Sequence, residues 1–123
     1  MTDQAADIAA ISRVVEHYVE GMVFADESLL REAFHPSCKI IGHYHRELEW
    51  LSLDEFIGAI KAEGPAEEGS SPFWEIRTLD ITGDSAVAKV VDDYLGMRFT
   101  DYLSLLKIDQ QWQIINKLYY LHA

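Results

Sequence analysis

The stretch ITGDSAVAKVVDDYLGMRFTDYLSLLKIDQQWQIINKLYY, residues 81–120, alternates apolar and polar residues between three short turn signals. A period of two marks a half-buried strand, because successive side chains leave a pleated backbone on opposite sides. Gly83-Asp84 is a two-residue hairpin signal, and Gly96-Met97 places glycine at the first position of a type II′ turn. Asp109-Gln110 is a weaker turn, glutamine being ill suited to positive φ. Strands are therefore predicted over Phe73 to Thr82, Ser85 to Leu95, Arg98 to Ile108 and Trp112 to Leu121, joined as a four-stranded antiparallel meander.

Three two-residue turns dictate a register and place paired residues on one face. Ile81, Ala86, Lys107 and Trp112 form the first row of that face, and Leu79, Ala88, Leu105 and Ile114 the second. Arg77, Val90, Leu103 and Asn116 follow, then Glu75, Asp92, Asp101 and Leu118, and finally an aromatic rim of Phe73, Tyr94, Phe99 and Tyr120. This face is expected to cover the helices. The opposite face is more polar and includes Lys89, Tyr102 and Lys117. Trp74, Ile76, Val87, Val91, Leu106 and Ile115 make part of it adhesive, which predicts a homodimer through the outer sheet face.

Toward the N-terminus the period changes. Ile8, Ile11, Val15, Tyr18 and Met22 recur at spacings of three and four, the apolar stripe of a long helix. Asp26 can cap a second, short helix that Pro36 closes, and Cys38 to Tyr44 reads as a strand. A short strand or turn follows. Ser52 and Glu55 form a capping box before a third helix, and Gly64 to Pro72 reads as a loop. The fold class is thus α+β: a curved antiparallel sheet, a four-stranded C-terminal meander plus an N-terminal strand, around three helices from the N-terminal half. Residues 1–123 are expected to form one domain, the usual span of a single core.

The formal charge of −11 argues against nucleic acid and anionic membrane surfaces, since the basic residues are scattered singly. Cys38 is the only cysteine, which excludes an intramolecular disulfide and predicts a reducing compartment. With neither a leader pattern nor a membrane-length apolar run, a cytoplasmic location is expected. No nucleotide-binding glycine loop, hydrolase elbow or zinc motif occurs. His43 and His45 lie two apart on a predicted strand, but no third ligand has a matching spacing. Neither metal nor cofactor is expected.

Asp92 opposite Asp101 is the sharpest chemical feature. Two facing carboxylates repel, so in a dry pocket one retains a proton available for acid–base work; alternatively Arg77 neutralises them, or a wet mouth lets both ionise. His35 can act as a base or interact with helix-end carbonyls. Asn116 requires a partner, either Asp101 or a ligand.

Phe34-His35-Pro36, the helix start from Ser52 to Phe56, the run from Phe99 to Lys107 and Trp112-Gln113-Ile114-Ile115-Asn116-Lys117 resemble the nuclear transport factor 2-like superfamily, in its lumazine-binding-like branch. Gln110 stands where that branch usually has glycine. The resemblance implies a conical pocket. It also implies a spread of functions, since the superfamily includes ketosteroid isomerase, scytalone dehydratase, polyketide cyclases, dioxygenase β subunits and non-catalytic transport factors. For Tyr18 it implies a hydroxyl that polarises a substrate oxygen; a buried tyrosine tied to a backbone carbonyl is the other reading. The expected activity is isomerase, dehydratase or cyclase chemistry on an apolar or ring-containing small molecule. Asp101, Asp92 and Tyr18 would be catalytic, and Phe73, Glu75, Arg77, Tyr94, Phe99, Asn116, Tyr120 and His35 would bind the ligand. The alternatives are a binding module without chemistry and a scaffold whose pocket is filled core.

Overall fold

The structure is a computed structural model that describes residues 3–122. Helix α1 spans Asp3–Val23 and α2 Glu27–Ala33; strands β1 Phe34–Tyr44 and β2 Glu47–Ser52 precede α3, Leu53–Glu63. The meander is β3 Trp74–Thr82, β4 Ser85–Tyr94, β5 Met97–Ile108 and β6 Gln111–Leu121. All six strands form one curved, unclosed sheet in the order β2-β1-β6-β5-β4-β3, with the helices on one face. The strand count exceeds expectation by one, because β2 pairs with β1 across the His45-Arg46 turn. Strand β1 also runs parallel to β6, so the C-terminal strand lies at the sheet's centre.

Local signals act as their chemistry requires. The Asp26 carboxylate accepts from the Leu29 amide at 3.2 Å, and Ser52 and Glu55 exchange both hydrogen bonds of a capping box. Ile11, Val15, Tyr18, Val19 and Met22 are buried along α1, whereas Ile8 at the start of the stripe is exposed. The Trp112 indole donates to Asp7 at 3.0 Å, and Lys107 pairs with the same carboxylate, tying α1 to β6 and β5.

Two of the three predicted turns hold, and the register departs from expectation at three places. The β4–β5 turn is Leu95-Gly96, both at positive φ, not Gly96-Met97. Two residues with left-handed backbone give the twist that a hairpin prefers. The slip is of two residues, so faces are preserved; Asp92 now lies opposite Phe99, and Asp101 opposite Val90. In β3 the pairing with β4 jumps between Ile76 and Thr78. Trp74 and Ile76 therefore pack against the core, while Glu75 and Arg77 are exposed and pair with each other at 2.9 Å. In β6 the Asp109-Gln110 turn forms with both residues at positive φ, yet the ladder jumps between Ser104 and Leu105 so that Ile115 is unmatched. A bulge reverses the sense of everything beyond it. Asn116, Leu118 and Tyr120 consequently turn outward, and Lys117 and Tyr119 turn inward.

Close approach of β1 to β6 requires glycine at one point. A Cβ on Gly42 would meet the Tyr119 carbonyl oxygen at 2.6 Å and the Tyr119 ring at 2.7 Å. Gly58, exposed within α3, has nothing within 4 Å of its Cβ position. Gly42→Ala is expected to cost about 1–3 kcal/mol in urea denaturation. Gly58→Ala should add about 0.5–1 kcal/mol; equal effects of the two would refute the close β1–β6 approach.

Candidate functional site

Between α3, the end of α1 and the inner face of β1, β2, β4, β5 and β6 lies a recess of about 590 Å³ including its open mouth. Ile40, Met22, Phe56, Ile60, Phe99 and Tyr119 supply apolar walls, and Tyr44, Glu49, Leu51, Ala59, Glu63, Tyr94 and Lys117 complete the lining. The bulge in β6 accounts for Lys117. Its side chain points inward, 5% exposed, with Nζ 4.7 Å from the ring centroids of both Tyr18 and Phe56 and 5.5 Å from that of Tyr119. Three ring faces toward one ammonium form a cation–π cage. Its hydrogen-bond partner is the Met22 thioether at 3.9 Å, and it makes no ion pair among the described residues.

Asp92 and Asp101 are both 0% exposed, and neither lines the recess. The Tyr18 hydroxyl donates to Asp101 Oδ2 at 2.6 Å, joining α1 to the sheet. Both Asp92 oxygens and Asp101 Oδ1 lack any other partner. Burial, then the charge of Asp101, pushes the Asp92 carboxyl well above the usual carboxylate range, with Lys117 opposing. Protonated, Asp92 becomes a hydrogen-bond donor beside Asp101. With one proton shared, the formal charges of the two carboxyls and Lys117 sum to zero. Tyr18 is held well above the ordinary phenol value by burial, then by Asp101 and Asp92, and stays a donor.

The remaining expected site residues divide. Tyr94 and Phe99 line the recess, and the Tyr94 hydroxyl is buried without a partner; burial first pushes it to about 12, so it too remains a donor. Phe73 is exposed at the sheet edge beneath the Arg98 guanidinium, 4.7 Å from its ring. Glu75, Arg77, Asn116 and Tyr120 are carried to the outer face or edge by the two bulges, and Tyr120 is 61% exposed. His35 sits in an irregular start of β1, where its Nδ1 accepts from the Ser37 amide at 3.0 Å. It does not reach the recess. His45 lies in the β1–β2 turn at φ 49° and not on the strand, and it borders one outer recess together with His43 and His122. No cluster of three or more His, Cys, Asp or Glu able to hold a metal occurs among the described residues. Burial raises the Cys38 thiol to about 11, against a reactive thiolate. No described helix is long and apolar enough to cross a membrane.

Lys117 and Glu49 escaped the sequence reading. Glu49 lines the recess and accepts from the Tyr119 hydroxyl at 2.6 Å. The available signal for Lys117 was Ile114-Ile115, adjacent apolar residues where strict alternation must fail.

The model of the family described as "Putative lumazine-binding" matches residues 6–120. The chain belongs to that family, within the nuclear transport factor 2-like superfamily. A solved NTF2-like protein of unknown function from Silicibacter pomeroyi is 37% identical, covering 99% of this chain and 100% of that one, with a TM-score of 0.92. Another from Shewanella baltica is 29% identical, with coverages of 100% and 99% and a TM-score of 0.87. Among curated proteins, aldolase FrzH of Cladobotryum sp is 26% identical over 105 residues, 84% of this chain and 82% of that protein.

The charge arrangement predicts opposite outcomes for the two aspartates. A carboxyl raised in the folded state takes up a proton on folding, so its stability contribution is present below the unfolded value of about 4 and lost as pH rises above it. The slope approaches about 1.4 kcal/mol per pH unit for one group. Asp92→Asn imitates the protonated acid and should be more stable than the parent at pH 7, the gain vanishing near pH 4. Asp101→Asn removes the carboxylate that accepts from the buried Tyr18 hydroxyl and should cost about 1–3 kcal/mol at pH 7. Urea titrations across this range check both; equal destabilisation by the two substitutions would refute the shared proton.

Proposed function

We propose that the recess binds a small apolar or ring-bearing carbonyl compound and moves a proton at the carbon beside that carbonyl, as isomerases and aldolases do. The observation that carries this reading is the Lys117 ammonium at an apolar wall without an oxygen partner. A ligand oxygen that gains negative charge as the proton leaves would find that ammonium, with Tyr94 as a second donor, in a poorly hydrated site where such contacts are strongest. Glu49, oriented by Tyr119, is the carboxylate placed to take the proton. Asp92, Asp101 and Tyr18 act behind Lys117, balancing its charge rather than touching the ligand. The name of the fungal relative, an aldolase, supports this class, and the family description points to a fused-ring carbonyl compound.

The test is deuterium exchange at the α-carbon of 1-indanone in D₂O, followed by proton NMR. The protein should accelerate exchange, and Glu49→Gln should reduce that acceleration by at least about 100-fold. Indanone binding without accelerated exchange would favour a binding module over an enzyme.

A second copy of this chain is the partner proposed for the outer sheet face, where Trp50, Ile41, Leu118 and Tyr102 form one row across four strands. Trp50 is 64% exposed and Leu118 47%. This row replaces the earlier expectation for Trp74 and Ile76, which face inward, and for Val91, which is covered within the chain. Light scattering should give a dimer mass that Leu118→Glu reduces to a monomer; a parent monomer at all concentrations would refute it.

A further inference from the structure

We infer that Lys117 is a covalent anchor: its amine condenses with an aldehyde or ketone in the recess to form a protonated imine. This deepens the carbonyl reading above and rests on it. Three features single out this lysine. It is buried yet belongs to the lining of the recess. Its nitrogen is not engaged by any carboxylate among the described residues, whereas Lys61 and Lys107 are held at 3.0 Å by Glu27 and Asp7. An ammonium has three N–H donors to satisfy, and a purely structural lysine would be expected to meet oxygen acceptors. Here the neighbours are ring faces and a thioether.

The chemistry suits this setting. One proton leaves the ammonium for the carbonyl oxygen, and the freed nitrogen lone pair bonds to the carbonyl carbon as the C=O π pair moves to that oxygen. A second proton then passes from nitrogen to the same oxygen, the C–O bond breaks, and the oxygen departs as water, leaving C=N–H⁺. Ammonium plus carbonyl thus gives protonated imine plus water, with no net proton exchanged and no oxidant or reductant required. The positive charge stays at the same place. The one negative charge on the Asp92–Asp101 pair therefore balances the product as it balances the free lysine, and the aromatic cage serves a planar, weakly hydrated cation as well as an ammonium. The imine also withdraws electrons from the α-carbon more strongly than a hydrogen-bonded carbonyl does, which assists proton removal by Glu49.

The experiment treats the whole chain with benzaldehyde and sodium cyanoborohydride and locates the resulting benzylamine by peptide mass mapping. One adduct should form, on Lys117, at least about ten times faster than on the exposed Lys39 or Lys61. In Lys117→Arg, which keeps the charge but is no comparable nucleophile, this adduct should be lost. The map of the parent chain stands alone if that variant fails to fold. Adducts on Lys39 and Lys61 with Lys117 unmodified would overturn the imine. If 1-indanone exchange is accelerated while Lys117 stays unlabelled, the imine fails and the proton-transfer reading survives; absence of both exchange and labelling removes both.

Discussion

Charge cannot be left uncompensated beneath a layer of helices, and the interior of this protein is arranged around that constraint. Lys117 brings one positive charge under α1 and α3. Two ionised aspartates would bring two negative ones, and burial, then the charge of Asp101, raises the Asp92 carboxyl and so favours its protonated form. Tyr18 completes the group from the helix side with a 2.6 Å hydrogen bond that fixes α1 over β5. Remove the proton or the ammonium and the arrangement no longer balances. The same requirement explains why the aspartates lie behind the recess: a proton held by two buried carboxylates is poorly exposed to solvent, while the lysine that needs their charge stands at the wall.

The architecture was legible because turns and periodicity are local. Gly83-Asp84, the capping box at Ser52 and the stripe along α1 each depend on a few neighbouring residues, and each appears in the structure. The inner and outer faces of β4 and β5 were legible as well, since the two-residue slip at Leu95-Gly96 preserves the pleat. What alternation cannot supply is the place where it stops. The bulges at Arg77 and Ile115 exchange faces for the residues beyond them, and that is why strict alternation assigns Glu75, Asn116 and Tyr120 to the pocket and Lys117 to the outer sheet face. A lysine in a strand is ordinarily placed outside by its hydration cost, which hid the residue on which the proposed chemistry turns. Glu49 was missed because β2 itself read only as a short strand or turn.

Asp92 and Asp101 show a finer limit. Their occurrence on one face followed from spacing, but their relation to the recess depends on side chains from other elements. Phe56 and Met22 come from helices separate in sequence, and Tyr119 is turned inward by the bulge. The titration behaviour was legible as a tendency of paired carboxylates; the identity of their counter-charge was not.

The recess is built from parts of unequal constraint. Its charged wall belongs to β6, the central strand, flanked on both sides and tied to α1 through the Tyr18–Asp101 contact. Another part of its lining, in contrast, is Leu51 on β2, an edge strand paired only with β1. Substitution on an edge strand disturbs one ladder and few packed neighbours, so this side tolerates variation that the interior does not. Changes of shape on that edge are thus separable from the buried Tyr18–Asp101 contact, a separation that lets one scaffold diversify without first losing stability.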